Sequence, residues 1–395
     1  MRTVGLFIES SRVYGRGLLR GIAKFVRIHN EWSIVYQERM LGDVTPLDLG
    51  HRHCDGIIAR IDTIRQRNRF IKLRIPLVDL RGRWDIPKFP HLISNDKAIA
   101  ELAAQHLLAR GSRHFAFYGF AGADYSQRRR DYFCAAIHAA GHTTAVYESP
   151  AAPRGSDTTA NESTAALHER KMGHWLKGLP QPIGLMACND VGGRQVLDIC
   201  HVLGLRVPEQ ISVIGVDNDE VLCDLAEPPM SSIILPTERI GYQAAELLSD
   251  MMDGRKPAQH EILIPPIEVM KRRSTDAAVV EEPYVAAALA FIREKACTGI
   301  NVEDILDHLD NHKLLVSRST LDRRFREILH FTPKEQILTI RLERVRQLLL
   351  DTTDSVERIA QQVGLAGASQ LAALFKHCTG ETPGEYRAKA RPGYK

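Results

Sequence analysis

Residues 355–387 read Ser-Val-Glu-Arg-Ile-Ala-Gln-Gln-Val-Gly-Leu-Ala-Gly-Ala-Ser-Gln-Leu-Ala-Ala-Leu-Phe-Lys-His-Cys-Thr-Gly-Glu-Thr-Pro-Gly-Glu-Tyr-Arg. Val356, Ile359, Ala360 and Val363 recur at i, i+3, i+4 and i+7, the apolar stripe of a short helix. Gly364 follows, where a helix end favours a residue that tolerates positive φ. A second stripe begins at once with Leu371, Leu374, Phe375 and Cys378. Two short helices around a tight glycine turn make a helix-turn-helix. The second helix leaves Ser369, Gln370, Ala373 and Lys376 off its apolar face, where a DNA-reading helix presents side chains to base edges and phosphates. An ordinary αα-hairpin would explain one such unit equally well.

The unit occurs twice. Leu321, Phe325, Thr332, Pro333 and Glu335 match Leu371, Phe375, Thr382, Pro383 and Glu385 at one constant offset, an internal duplication. In each copy Thr-Pro-x-Glu is a helix start, with Thr as N-cap, Pro at N1 and Glu closing a capping box. The first copy has its own leading stripe at Val302, Ile305, Leu306 and Leu309. Its reading helix, expected from Ser317, exposes Arg318, Ser319, Asp322, Arg323 and Arg326. Between the copies, 335–350 reads as one amphipathic helix with Ile337, Ile340, Val345, Leu348 and Leu349 inward. Two helix-turn-helix units, 302–329 and 355–377, joined by one helix resemble the AraC/XylS-type DNA-binding domain. Ile359-Ala360, Gly364, Phe375-Lys376, Gly380, Thr382-Pro383 and Tyr386-Arg387 carry that resemblance. One departure stands out: Val302 to Leu321 spans four residues more than Val356 to Leu371, so the region 310–315 lengthens the first turn or its first helix.

With 395 residues the chain has room for two or three domains of ~150 residues. Its net charge is only +4, but nine basic residues face four acidic ones between Lys313 and Gln347. That local excess suits a phosphate-facing surface, although solvated helix faces also look like this. Seven scattered cysteines without C-x-x-C point to reduced thiols. No signal peptide and no apolar run near ~20 residues is visible, so a soluble, cytoplasmic protein with no membrane contact is expected.

Residues 1–274 alternate short apolar runs with helical stretches. Strands are expected at 4–8, 33–36, 56–59, 76–80, 115–118, 145–147, 184–187 and 212–216. Helices are expected at 17–28, 97–109 (capped by Asn95 or Asp96), 129–140, 163–176 and 191–203. Near-continuous apolar strands between amphipathic helices imply buried parallel sheet, and this many units imply two doubly wound α/β lobes. The stretch 232–263 (strand, helix, strand) is expected to return to the first lobe.

Ligands bind such folds outside the carboxyl ends of the strands. The residues there are Glu9 to Gly17, a Gly/Asp/Tyr/Ser loop ending in Arg128-Arg129-Arg130, Asn189-Asp190, and Asp217-Asn218-Asp219-Glu220. Short carboxylates and amides with an arginine suit a neutral polyol, since carboxylates accept from hydroxyls while Arg and amides donate. Tyr14, Tyr125 and Trp84 could stack on a sugar ring; Asp190 and Asp96 could instead be simple helix N-caps. Asp55-Gly56-Ile57-Ile58, Ser94-Asn95-Asp96, 111–119, 187–190, 213–218, 231–233 and Ile240-Gly241 resemble the periplasmic-binding-protein-like sensor of LacI/GalR-type regulators. That resemblance implies that Asp96, Arg129, Asn189 and Asp217 hydrogen-bond sugar hydroxyls; the reading of the strand ends adds Asp190, Asn218 and Tyr14 as expected ligand-binding residues. The N-terminal helix-turn-helix usual in that family is absent here, and the C-terminal unit takes its place.

Sensor first and AraC-type reader last resembles a family of bacterial xylose-responsive regulators, most closely at 213–220, Ser231-Ser232, 241–245 and 265–276. Residues 1–274 are then a sugar sensor, 275–282 a linker and 283–395 the DNA-binding domain, opened by Pro283 before a helix 284–296. The expected partners are duplex DNA, a small sugar effector such as D-xylose, a second copy of the chain, and RNA polymerase. A sensor for another sugar or a nucleobase is the alternative, and an α/β enzyme with a DNA-binding tail a more distant one. No cofactor, metal or catalytic residue is expected. His51-x-His53-Cys54 lacks the remaining spaced ligands of a zinc site, and His308/His312 at i, i+4 lie in the lengthened turn. Gly15-x-Gly17 completes no phosphate-loop motif, and no G-x-S-x-G is present.

Overall fold

Gly56–Ala59, Ile183–Ala187 and Ile211–Val216 are buried along their whole length. Strands with no solvent-facing side need helices on both faces, which a parallel sheet with crossover helices provides. The computed structural model describes residues 1–36, 38, 53–149, 169–276, 282–329 and 331–390. The chain divides into two units, Met1–Ala277 and Ala278–Lys395.

Among the described residues the first unit contains two six-stranded sheets. One takes β1 (Arg2–Phe7), β2 (Trp32–Tyr36), β3 (Gly56–Ala59), β4 (Leu77–Asp79), β5 (His91–Ser94) and β11 (Glu261–Ile264), in the order β11-β5-β4-β3-β1-β2 and all parallel. The other takes β6 (His114–Phe120), β7 (Thr144–Ser149), β8 (Ile183–Ala187), β9 (Ile211–Val216), β10 (Ser231–Ile233) and β12 (Val269–Met270), in the order β12-β10-β9-β8-β6-β7. Only β12 runs antiparallel in it. The helices of this unit are α1 (Val13–His29), α2 (Ile64–Ile71), α3 (Asp96–Ala109), α4 (Asp124–Ala139), α5 (Glu169–Gly178), α6 (Asp190–Leu203), α7 (Glu220–Asp224) and α8 (Thr237–Met252).

The chain passes between the sheets three times: from β5 to α3, from β10 to α8, and from β11 to β12. The crossing segments are tied together, Asn95 N–H donating to Ile264 O at 2.8 Å and Ile234 pairing with Ile267 and Glu268 at 2.9 Å. Three neighbouring backbone segments thus link the two sheets, and Asp96, at the start of the helix after the first of them, lines the cleft described below.

Several expectations shift. Ser231–Ile233 stays in the second sheet, so the return to the first begins only at α8. The helix expected from 17 starts at Val13, and the one expected from 129 starts at Asp124, converting two expected loops into helix starts. The expected helix 163–176 is seen as Glu169–Gly178; residues 163–168 lie outside the described ones. Of the two glycines in Gly15-x-Gly17, a Cβ on Gly17 would stand 1.9 Å from Thr237 Oγ1 of α8, while one on Gly15 would meet Glu9 O at 2.0 Å. A Cβ on Gly21 would stand 1.9 Å from Glu238 O, and one on Gly241 2.0 Å from Leu18 O. The backbones of α1 and α8 therefore touch.

The second unit is all helical: α9 (Pro283–Lys295), α10 (Val302–Asn311), α11 (Arg318–Leu329), α12 (Pro333–Asp351), α13 (Val356–Gln362), α14 (Ala368–Thr379) and α15 (Pro383–Ala390). Leu321 and Phe325 are buried in a core with Val285, Leu289, Ile292, Ile305 and Leu309. Leu371 and Phe375 repeat the arrangement with Val345, Leu349, Ile359 and Val363. Cys378, expected in the second stripe, is exposed, so that stripe ends at Phe375. Both Thr-Pro-x-Glu boxes close: Thr332 Oγ1 and Thr382 Oγ1 accept from the backbone of Glu335 and Glu385, whose carboxylates bind back at 2.6 and 2.7 Å. Of the four extra residues in the first copy, three lengthen its leading helix, ten residues in α10 against seven in α13. The fourth lengthens the turn, where Lys313 adopts φ 60.

Candidate functional site

One cleft in the first unit collects the carboxyl ends of both sheets. Glu9, Arg12, Val13, Tyr14, Arg60, Leu80, Arg81, Ile93 and Ser94 line it from the first-sheet side. Asp96, Tyr125, Arg128, Arg129, Asn189, Asp190, Val191, Asp217, Asp219 and Leu222 line it from the other. Six of the seven residues expected to bind ligand are among them: Tyr14, Asp96, Arg129, Asn189, Asp190 and Asp217. Asn218 is not. Its backbone N–H donates to Ser232 Oγ at 3.0 Å, and its side chain accepts from Arg272 at 2.9 Å. Asp217 and Asn218 both adopt positive φ, 108 and 50, and of the two only Asp217 lines the cleft. Trp84, expected to stack on a ring, packs beside the first sheet with Phe70, Ile86 and Phe89 and does not line the cleft.

The charges in the cleft are joined. Asp96 opens α3, with Asn95 rather than Asp96 as its N-cap. Its two oxygens accept from Arg128 Nε at 2.7 Å and Arg129 Nε at 2.8 Å. Arg129, itself 4% exposed, also donates to Cys188 O at 2.6 Å. Glu9 lies 2.5 Å from Arg60 Nη1. Burial pushes the Glu9 carboxyl up, with Arg60 pulling the other way. Arg81 meets Asp62 at 2.9 Å and Asp124 at 2.8 Å. Burial would raise Asp124, but the Arg81 and Arg128 guanidiniums hold it below the usual carboxylate range. Arg60, Arg81, Arg128 and Arg129 thus all have a carboxylate partner, so the cleft is polar without being an anion trap.

Asp190 and Asn189 combine capping with placement. Asn189 Oδ1 caps α6 by accepting from Gly192 N, while its Nδ2 donates to Tyr125 Oη at 3.1 Å. Asp190, 1% exposed, accepts from Ser232 Oγ at 2.6 Å and from Asp219 N at 2.7 Å. Burial, then the neighbouring Asp217 carboxylate, raises its pKa well above the usual value. Tyr14 Oη lies 3.1 Å from Ser94 Oγ, and its ring sits under Arg60 at 5.1 Å. The Tyr125 ring lies 5.3 Å from Arg81 and 5.2 Å from Arg129.

Sequence reasoning missed Glu9–Arg60 and Arg81–Asp124 as pairs. The available signal was a charged residue one or two positions after a buried strand: Glu9 after β1, Arg60 after β3, Arg81 after β4. Nothing local said which would meet.

In the second unit, Arg318, Ser319 and Arg323 are exposed on α11 and Asp322 is half-buried there; Ser369, Gln370, Ala373 and Lys376 are exposed on α14. Arg318 is paired with Glu303 of the preceding helix. Gln370 Oε1 accepts from Ala366 N at 2.8 Å, and Glu357 caps Ala368 N at 2.8 Å. Helices α11 and α14 are therefore each braced by a glutamate of the preceding helix, Glu303 and Glu357. His308, within α10 rather than the turn, stacks on Phe291 with ring centroids 4.2 Å apart and lies tilted against the C-cap residue His312 at 4.4 Å. Among the described residues no cluster of three metal-ligating side chains occurs, and no helix is long and apolar enough to cross a membrane. His51 lies outside the described residues.

Comparison with known proteins covers both units. The periplasmic binding protein-like domain family matches residues 104–275 and a helix-turn-helix domain family matches 312–389. The xylose operon regulatory protein of Escherichia coli K12 is 30% identical over 394 residues, 97% of this chain and 96% of that one. Its counterpart in Haemophilus influenzae is 30% identical over 97% of both chains. A solved structure of a xylose-binding transcription activator superposes with a TM-score of 0.76 at 29% identity, covering 98% of each chain.

Proposed function

The chain belongs to the family of the xylose operon regulatory proteins, and from that premise we propose that its cleft takes a neutral pentose, D-xylose first. The chain is a sugar-responsive transcriptional regulator with a helix-turn-helix DNA-binding domain; its relatives are regulators, not enzymes. The observation that carries the pentose reading is the paired charge of the cleft. Asp96, Arg129, Asn189, Asp190 and Asp217 surround one space, yet the four arginines named above are already matched by carboxylates. A phosphorylated or acidic ligand would have to break those pairs. Sugar hydroxyls can accept from the remaining guanidinium N–H groups and donate to remaining carboxylate lone pairs.

On this reading Asp96, Arg129, Asn189, Asp190, Asp217 and Tyr14 hold the sugar. Arg318, Ser319, Asp322 and Arg323 read one major-groove segment and Ser369, Gln370, Ala373 and Lys376 the next. Residues 275–282 serve as the linker. A cytoplasmic homodimer reads two such half-sites and meets RNA polymerase there. The sugar favours the closed cleft and shifts operator affinity by no more than its own preference between the two states.

Thermal unfolding against pentoses, hexoses and nucleobases tests this. A ligand at 100 times its Kd stabilises the native state by about 2.7 kcal/mol. A rise in Tm with D-xylose and not with hexoses or nucleobases is expected. A rise with a nucleobase alone would replace the pentose reading.

A further inference from the structure

The residue pointing away from the cleft, Asn218, leads to the end of the sensor. Asp217 and Asp219 line the cleft on either side of it. Asn218 itself accepts from Arg272 Nη1 at 2.9 Å, across 54 residues of sequence. Arg272 also donates to Met230 O at 3.1 Å and meets Asp224 at 3.0 Å. From Arg272 the chain runs straight through a short 3-10 turn, Arg273–Thr275, whose Ser274 and Thr275 are fully buried. Every polar group named in that turn is held. Ser274 Oγ donates to Val213 O at 2.6 Å and accepts from Ser231 N at 2.8 Å. Thr275 Oγ1 lies 2.7 Å from Ser231 Oγ and 2.9 Å from His106 Nε2. Residues 272–276 close the first unit, and the second begins at Ala278.

We infer that the turn Asp217–Asp219 transmits occupancy of the cleft to the segment 272–276 through the Asn218–Arg272 contact, making Arg272 the positioning residue that couples sugar to DNA. This rests on the sugar-sensor reading above. The mechanics are short-range. Asp190, buried in the cleft wall, holds both Asp219 N and Ser232 Oγ, and Ser232 Oγ in turn holds Asn218 N. A ligand engaging Asp217 or Asp190 therefore acts on a turn whose middle residue grips the last segment before the DNA-binding unit. Arg272 lies outside the cleft lining, so its contribution to coupling separates from sugar affinity.

The test uses the full-length protein, D-xylose, and a duplex selected from random DNA by that protein. Sugar affinity is read by calorimetry and DNA affinity by fluorescence anisotropy with and without sugar. Allosteric coupling of ordinary size changes affinity by about 5–150-fold in the wild type. Arg272→Ala is expected to keep sugar affinity within about threefold while the sugar-dependent change in DNA affinity collapses toward one, a loss of the coupling and not of binding. Asn218→Gly, which tolerates φ 50 but removes the acceptor, should do the same, and Asn218→Asp should restore coupling. These two variants keep the test available if Arg272→Ala folds poorly. Hydrogen exchange of 272–276 should become insensitive to sugar in the uncoupled variants. The inference is overturned if the uncoupled variants respond to sugar as the wild type does, or if their sugar affinity falls in step with the response. If the wild type itself shows no sugar-dependent change, the sugar-sensor reading fails first.

Discussion

Arg81 joins the two lobes, and removing it should open the cleft. It follows β4 of the first sheet, while Asp124 begins α4 over the second. The guanidinium is 5% exposed and sits 2.9 Å from Asp62 and 2.8 Å from Asp124. Breaking a fully buried pair by removing one partner costs about 3–5 kcal/mol, because a charge is left without compensation. Here the carboxylates are 14% and 21% exposed, and Asp124 keeps Arg128 at 3.2 Å, so solvent and a second cation recover part of the loss. We expect about 2 kcal/mol, which is lost only in the closed cleft and therefore appears as about 30-fold weaker D-xylose binding. Arg81→Met keeps the side-chain bulk. Calorimetric titration of the wild type, Arg81→Met, Asp124→Asn and the double variant gives the coupling of the pair. A double variant as weak as Arg81→Met alone supports the bridge. Unchanged sugar affinity with a lowered Tm in Arg81→Met would show that Arg81 matters only within the first lobe, through Asp62, and would refute the reasoning.

Burial, with Arg110 and Lys271 nearby, lowers His106 from 6.5 to about 4. The unfolded chain then binds the extra proton first as pH falls, so stability is full above about 6.5 and is lost toward pH 4; the Tm of His106→Gln should lose that slope. Gly241→Val would press a side chain into Leu18 O, and because that oxygen is backbone and cannot rotate away, the α1–α8 crossing must move apart. A loss of about 3 kcal/mol or more is expected by denaturant unfolding, and a neutral result would mean that the crossing is not tight. Thr382→Ala removes the acceptor for Glu385 N and should cost about 1 kcal/mol of second-unit stability with sugar affinity untouched. Arg323→Ala should weaken operator binding by about 1–3 kcal/mol and flatten its salt dependence by about one ion, while leaving D-xylose affinity unchanged; calorimetry and a salt series of anisotropy curves read both.

The sequence announced the second unit more completely than the first, for physical reasons. A helix-turn-helix is built from contacts a few residues apart, so Gly364, the Thr-Pro-x-Glu boxes and the Leu321/Phe325 and Leu371/Phe375 stripes are local signals of local structure. The family resemblance added the order of the units. In the sensor, buried strands were legible from unbroken apolar runs, but His91–Ser94 and Val269–Met270 were missed. The first opens with a histidine and the second is two residues long, so neither shows a run. The helix starts at Val13 and Asp124 were read as loop because their first turns, 13–16 and 124–127, hold only one aliphatic residue between them, Val13, so no apolar stripe marks them. The ion pairs could not be read at all: Glu9 and Arg60 are 51 residues apart, Arg81 and Asp124 43. Pairing at that distance is decided by where two sheets meet. Asn218, expected beside the ligand, is instead engaged by Arg272 from 54 residues away, a contact that composition does not encode.

The two halves of the molecule handle charge in opposite ways, and that contrast argues for what each binds. In the sensor, the cleft residues Arg60, Arg81, Arg128 and Arg129 are matched by carboxylates at 2.5 to 2.9 Å, so the cleft offers directed hydrogen bonds without a net pull. A neutral polyol needs that, since its own hydroxyls must find both donors and acceptors when they leave water. In the second unit the duplicated cores are equivalent, but their outer faces are not. The first reading helix exposes Arg323 and Arg326 beside Arg318, whereas the second exposes Ser369, Gln370 and Ala373 with the single cation Lys376 before the histidine His377. Arginine forks match the two acceptors of guanine, glutamine matches adenine, and a small apolar side chain meets the thymine methyl. Two copies of one motif, kept alike where they pack and different where they face outward, are suited to reading two unlike segments in a fixed order. A half-site read in that way has a direction, so a dimer of such chains would set the orientation as well as the spacing of its operator.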